Sequence, residues 1–93
     1  MKSERTLQDR VVVVTGGSAG LGRATAVAFA KRGAQVAILA RDADRLEDAE
    51  AEIAAYGGRC LALPIDVADA GAVDEAADTI EATLGPIDIW VNN

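Results

Sequence analysis

Hydrophobic positions along this 93-residue chain follow two alternating rhythms. Short runs rich in β-branched residues stand at 11–14 (VVVV), 36–39 (VAIL), 61–65 (LALPI) and 87–91 (IDIWV). Runs of this length predict strands, buried on both faces where no polar residue interrupts them. Between them the apolar residues recur at helical spacing. Leu46, Ala49, Ile53 and Tyr56 form one stripe, and Val73, Ala76, Ala77, Ile80 and Leu84 form another; each collects on a single helix face. An alanine-rich stretch after residue 22 supplies a further helix.

The punctuation agrees with this scheme. Asp42 and Asp69 occupy helix N-cap places, and Gly33, Gly57, Gly58 and Gly85 stand where helices should end. The predicted order is β-α-β-α-β-α-β. Pro64 cannot donate to a strand ladder, which puts the third strand at the sheet margin. Helical crossovers between parallel strands are right-handed, so the expected fold is α/β: a partial, Rossmann-like doubly wound parallel sheet of order 3-2-1-4 with helices on both faces. A single unit is expected over residues 10–93, preceded by a polar extension at 1–9, with no repeat or linker dividing it.

Composition narrows the function classes. Hydrophobic residues make up 51% of the chain and charged residues 26%, enough for one modest core. The net charge of −6 comes without any block of lysine or arginine, so no nucleic-acid partner is expected, because neutralising phosphates takes clustered cations. Strictly apolar runs such as 11–14 and 36–40 reach no more than five residues, far short of the roughly 20 that span a bilayer, so no membrane segment is expected. The start, MKSERTLQDR, has no apolar core like that of a secretory signal, which makes the cytoplasm the expected compartment. With no histidine and one cysteine the chain lacks the usual zinc ligands, and no metal site is expected. Cys60, within the apolar run CLALPI, reads as a small buried hydrophobe.

Candidate chemistry concentrates in residues 15–22, TGGSAGLG, between the first strand and the first helix. A strand-loop-helix unit aims unpaired backbone N–H groups and the positive end of the helix dipole at one point, which favours an anion such as a pyrophosphate. Gly16 would make the sharp turn off the strand, Gly20 would let backbone approach a phosphate, and Gly22 would let the helix pack tightly. Thr15 and Ser18 add hydroxyls for ligand or loop. A plain tight turn would not need these three glycines together. A P-loop would continue with lysine and a hydroxyl residue, but Arg23 and Ala24 follow. The frame GxGxxG fails as well, because Thr25 stands three places after Gly22.

The pattern that fits is TGxxxGxG, and with Asp66-Val67 after the third strand and GPIDIWVNN at the fourth it resembles the short-chain dehydrogenase/reductase family across residues 10–93. That resemblance implies a nicotinamide dinucleotide lying along the carboxyl ends of the strands. Gly16, Ser18, Ala19, Gly20, Leu21 and Gly22 would surround its pyrophosphate and nearby ribose, with Leu21 where isoleucine is common. Asp66 would bond the adenine amino group and Val67 would pack beside the ring; a turn or cap is the competing role for Asp66. Asn92 and Asn93 resemble the start of the family's Asn-Asn-Ala-Gly motif, which braces the sheet and brings the second asparagine near the adenosine ribose; a plain turn-forming pair competes.

Cofactor choice should be written at the end of the second strand. A site for NAD places an acid there to hold both ribose hydroxyls, whereas here Ala40 and then Arg41 occupy it. A guanidinium bonds phosphate in bidentate fashion, so Arg41 favours NADP(H) over NAD(H), a solvated surface arginine being the alternative. Arg23 offers a second cation or a surface charge.

Members of the family use a tyrosine acid/base, a lysine four residues on, and a serine that polarises the substrate oxygen. The only tyrosine here is Tyr56, on a helical stripe, and Cys60 stands where the lysine would be, so Tyr56 reads as a packing residue and no catalytic residue is assigned. The resemblance then implies the truncated N-terminal, NADP(H)-binding part of an oxidoreductase that transfers hydride between nicotinamide and a carbonyl or alcohol substrate, a homo-oligomer when full length. The alternative is a stand-alone, non-catalytic dinucleotide-binding or interaction module. In either case the fourth strand should present an apolar outer edge prone to self-association.

Overall fold

The computed structural model describes residues 7–93, so residues 1–6 of the expected extension lie outside the described residues. Seven elements follow in order: β1 (Val11–Thr15), α1 (Gly20–Lys31), β2 (Gln35–Ala40), α2 (Ala43–Ala54), β3 (Cys60–Pro64), α3 (Ala70–Thr83) and β4 (Ile89–Val91). The sheet runs β3-β2-β1-β4 with every pairing parallel, as the crossover rule required. Val13 sits between Ala37 on one side and Trp90 on the other, which fixes the register at the centre. β3 lies at an edge, and Pro64 is its last residue.

Alternate residues of the central strands feed two cores. Val12, Val14, Val36 and Ile38 pack against Ala26 and Ala30 of α1 and against Leu46, Ala49 and Ile53 of α2. Val11, Val13, Ala37 and Leu39 face the other way, onto Ala76, Ile80 and Leu84 along the α3 stripe. Each fully buried aliphatic side chain contributes about 1.5–3 kcal/mol relative to exposure, so β1 and β2 anchor the unit. Leu7 also packs on the first core, and its N–H donates to the Arg32 carbonyl at 3.1 Å.

The predicted helix starts hold in detail. Asp42 Oδ1 accepts the N–H groups of Asp44 and Arg45, each at 3.1 Å, and Asp69 Oδ1 accepts that of Ala72 at 3.1 Å. α1 differs, because Ala19 at its N-cap offers no side-chain acceptor. Gly33, Gly57 and Gly85 take left-handed φ after the three helices, whereas Gly58 is needed for space, since a Cβ there would lie 2.7 Å from the Ala34 carbonyl oxygen.

Most predicted boundaries shift by at most one residue, and two move by two. Ile87 and Asp88 precede β4 rather than belonging to it, because the Asp88 carboxylate accepts the Val11 N–H at 2.8 Å and the Ile87 N–H donates to Glu81 at 3.1 Å. α2 ends at Ala54, which leaves Tyr56 in the following turn. Instead of packing inside, its ring is 38% exposed, with Lys31 Nζ 5.3 Å from its centroid. Among the described residues β4 has no neighbour on its outer side.

Candidate functional site

The ends of β1, β2 and β3 open onto a cavity of about 290 Å³. Its floor and walls are Gly16 and Ser18 from the glycine loop, Leu39 and Ala40 from β2, and Ile65 and Val67 beyond β3. Arg41, Asp42 and Arg45 form its charged side. A larger groove of about 560 Å³ lies to one side between α1 and α2, running from Gly20 past Arg23 and Glu52 to Tyr56.

The loop is built by close approach. Gly16 adopts φ +66° and its N–H donates to the Leu39 carbonyl at 2.7 Å, which folds the chain off β1 toward β2. Only glycine adopts this conformation without strain. Gly17, given no separate role by the sequence, fills a space where a Cβ would lie 2.6 Å from Ile38 Cγ2. Gly20 has φ +58° and faces open space, with nothing within 4 Å of a Cβ position. At Gly22 a Cβ would overlap the Gly16 carbonyl and lie 2.7 Å from Asn93 Nδ2, so the helix packs here on the loop and the fourth strand's end.

Thr15 joins the loop to that end. Its hydroxyl donates to the Val91 carbonyl at 3.4 Å and accepts the Asn93 N–H at 2.9 Å. Asn92 accepts from Trp90 Nε1 at 2.9 Å, a local contact at the end of β4, while the Asn93 backbone ties that end to Thr15.

Several sequence-predicted residues meet at the cavity, namely Gly16, Ser18, Arg41 and Val67. Gly22 and Asn93 lie beneath the loop, while Ala19 is half-buried and Leu21 is 74% exposed at the helix start. Asp66 is exposed at the end of β3, and one carboxylate oxygen accepts the Ala68 N–H at 2.9 Å. The expected competing turn role is therefore present.

Of the two roles the sequence left open for Arg23 the surface one is present, and a further arginine joins the cavity. Arg45, not singled out from the sequence, lines the cavity beside Arg41, and its Nε lies 3.6 Å from Asp42 Oδ2. Its place in the first turn of α2, beside the Asp42 cap, was the available signal. Arg23 turns away to α2, where Nε meets Glu52 Oε1 at 2.7 Å.

Asp42 caps α2 through Oδ1 and has Oδ2 3.6 Å from Arg45 Nε, and with two arginines to one carboxylate the cavity's charged side is net cationic. α1 complements this, since its first turn carries no acidic residue and no side-chain cap, so its N–H groups and dipole end face outward uncompensated. Cys60 is half-buried against the first core; burial, then Glu50, pushes its thiol up to about 12, so it stays neutral. Among the described residues no cluster of three potential metal ligands occurs, and no helix is long and apolar enough to cross a membrane.

The short chain dehydrogenase profile matches residues 10–93. A short chain dehydrogenase of Pseudocercospora fijiensis is 45% identical over 86 residues, covering 92% of this chain and 28% of that protein. The 2,3-dihydro-2,3-dihydroxybenzoate dehydrogenase of Bacillus subtilis is 36% identical over 86 residues, covering 92% of this chain and 33% of that protein. Among solved structures, the L-sorbose reductase of Gluconobacter frateurii complexed with NADPH and L-sorbose superposes with a TM-score of 0.91 at 37% identity, covering 97% of this chain and 35% of that one. The chain thus spans about a third of the length of these relatives.

Proposed function

The chain belongs to the short-chain dehydrogenase family, and on that premise we propose that it is the NADP(H)-binding part of an oxidoreductase that moves hydride between nicotinamide and a carbonyl or alcohol. The observation that carries the cofactor choice is the cavity's charged side: Arg41 and Arg45 stand together, and the one carboxylate beside them, Asp42, is already engaged. The Asp42 carboxylate is turned toward the helix cap and Arg45, and two guanidiniums suit a 2′-phosphate. The NADPH-bound L-sorbose reductase of similar fold supports the same choice.

The residues present fit the dinucleotide. Gly16, Ser18, Ala19, Gly20, Leu21 and Gly22 place the uncapped first turn of α1 toward a pyrophosphate, with open space above Gly20 where a side chain would intrude. Val67, 48% exposed, offers an apolar surface to the adenine, and the second oxygen of Asp66 would accept its amino group. Asn93, whose N–H donates to Thr15 Oγ1 and whose side chain lies against Gly16 and Gly22, would come near the adenosine ribose. When bound, the nicotinamide supplies or accepts the hydride.

No residue of this chain is assigned to proton transfer. Tyr56 lies on the α1/α2 groove rather than at the strand ends, and Cys60 follows it four places on, neutral and half-buried. We therefore assign residues 10–93 to holding the cofactor and place the acid/base group in the remainder of a longer protein.

Arg41→Ala should raise the Kd for NADPH about tenfold, the loss of one charge-assisted contact, and leave NADH nearly unchanged. Equal losses for both cofactors, read by calorimetric titration, would remove the NADP(H) assignment.

A further inference from the structure

Arg23 directly follows Gly22 near the start of α1. Its side chain turns to α2. Nε donates to Glu52 Oε1 at 2.7 Å and Nη2 to the Asp48 carbonyl at 3.4 Å, both on α2. The two side chains are 32% and 44% exposed, so the pair is partly sheltered from solvent. Both line the groove that begins at Gly20, the glycine with open space above it. Lys31, farther along that groove, sits over the Tyr56 ring.

One consequence follows for an anion at the loop. With Arg23 removed, the Glu52 carboxylate would lose its ion-pair partner in a groove that reaches Gly20 of the loop and would repel a phosphate. We propose that Arg23 is a positioning residue for the dinucleotide: it masks Glu52 without itself touching the phosphate. This inference rests on the dinucleotide reading above.

The test is calorimetric titration of the full chain with NADPH and with NADH, using wild type, Arg23→Ala, Glu52→Gln and the double variant. Arg23→Ala should raise both Kd values by the same factor, about two- to fivefold, the size of a partly exposed ion pair. Glu52→Gln should bind at least as tightly as wild type, and the double variant should recover most of the loss. Such recovery separates the proposed role from a direct phosphate ligand, whose loss a change at Glu52 does not repair. It also separates it from a purely structural tie, which stays broken in the double variant.

An Arg23→Ala chain of unchanged affinity, a double variant as weak as Arg23→Ala, or a loss confined to NADPH would each overturn the proposal. If wild type binds neither cofactor, the dinucleotide reading falls and takes this inference with it. Wild-type binding without recovery removes this inference alone.

Discussion

A methyl group added at Gly22 would overlap the Gly16 carbonyl, whereas one added at Gly20 would meet nothing within 4 Å. The two glycines, two positions apart, therefore answer to different demands. Gly22→Ala should destabilise the fold by about 1–3 kcal/mol through overpacking, seen as a lower urea midpoint. Gly20→Ala should cost about 1 kcal/mol from its left-handed φ, with its larger effect on NADPH affinity because the methyl enters the open space proposed for phosphate. A Gly22→Ala chain as stable as wild type would contradict this division. The glycine spacing was legible in the sequence, but the neighbour each glycine avoids was not. Gly17 shows why, since its constraint is Ile38, a residue of another strand that only the folded register brings near.

Cys60 belongs to the same scale. Its folded thiol is pushed up to about 12 from an ordinary value of 9.0, so the folded state holds its proton over a range in which the unfolded chain releases it. The contribution to stability is full below the unfolded value and is lost as pH rises from there through the folded value. Thiol labelling at pH 8 should accordingly be slow in the native chain and fast in denaturant; equal rates would show an accessible thiolate. The sequence placed Cys60 in an apolar run, yet β3 is an edge strand, and this leaves the thiol half-buried rather than enclosed.

At the scale of elements, two helices begin on aspartate caps and one does not. Asp69→Ala should lower stability by about 1 kcal/mol, the usual value of an N-cap, measured by thermal unfolding. Asp42→Ala should cost a similar amount and also release Arg45. A neutral result at Asp69 would mean that its bond to Ala72 adds nothing. These caps were legible because a short side-chain acceptor before an apolar stripe has few other uses. The ends of β4 and α2 were less so. Asp88 turns its carboxylate to the Val11 N–H, and the stripe carrying Tyr56 outlasts its helix, both decided by contacts that periodicity does not encode.

The whole molecule is a parallel sheet with two helices on one face and α3 on the other. Strand order was legible from crossover handedness and the position of Pro64, and the carboxyl-end cavity follows from that order. The second arginine of the cavity, Arg45, was signalled only by its place three residues after the Asp42 cap, and it is the turn into α2 that brings it beside Arg41. The proposed function depends on this end of the sheet holding a dinucleotide, and its cofactor choice on that dinucleotide carrying a 2′-phosphate. The most direct measurement is therefore calorimetric titration of the wild-type chain with NADPH and with NADH at one salt concentration. NADPH should bind about tenfold or more tightly than NADH, as expected for added charge-assisted bonds to phosphate. Equal affinities, or no binding of either, would contradict the account.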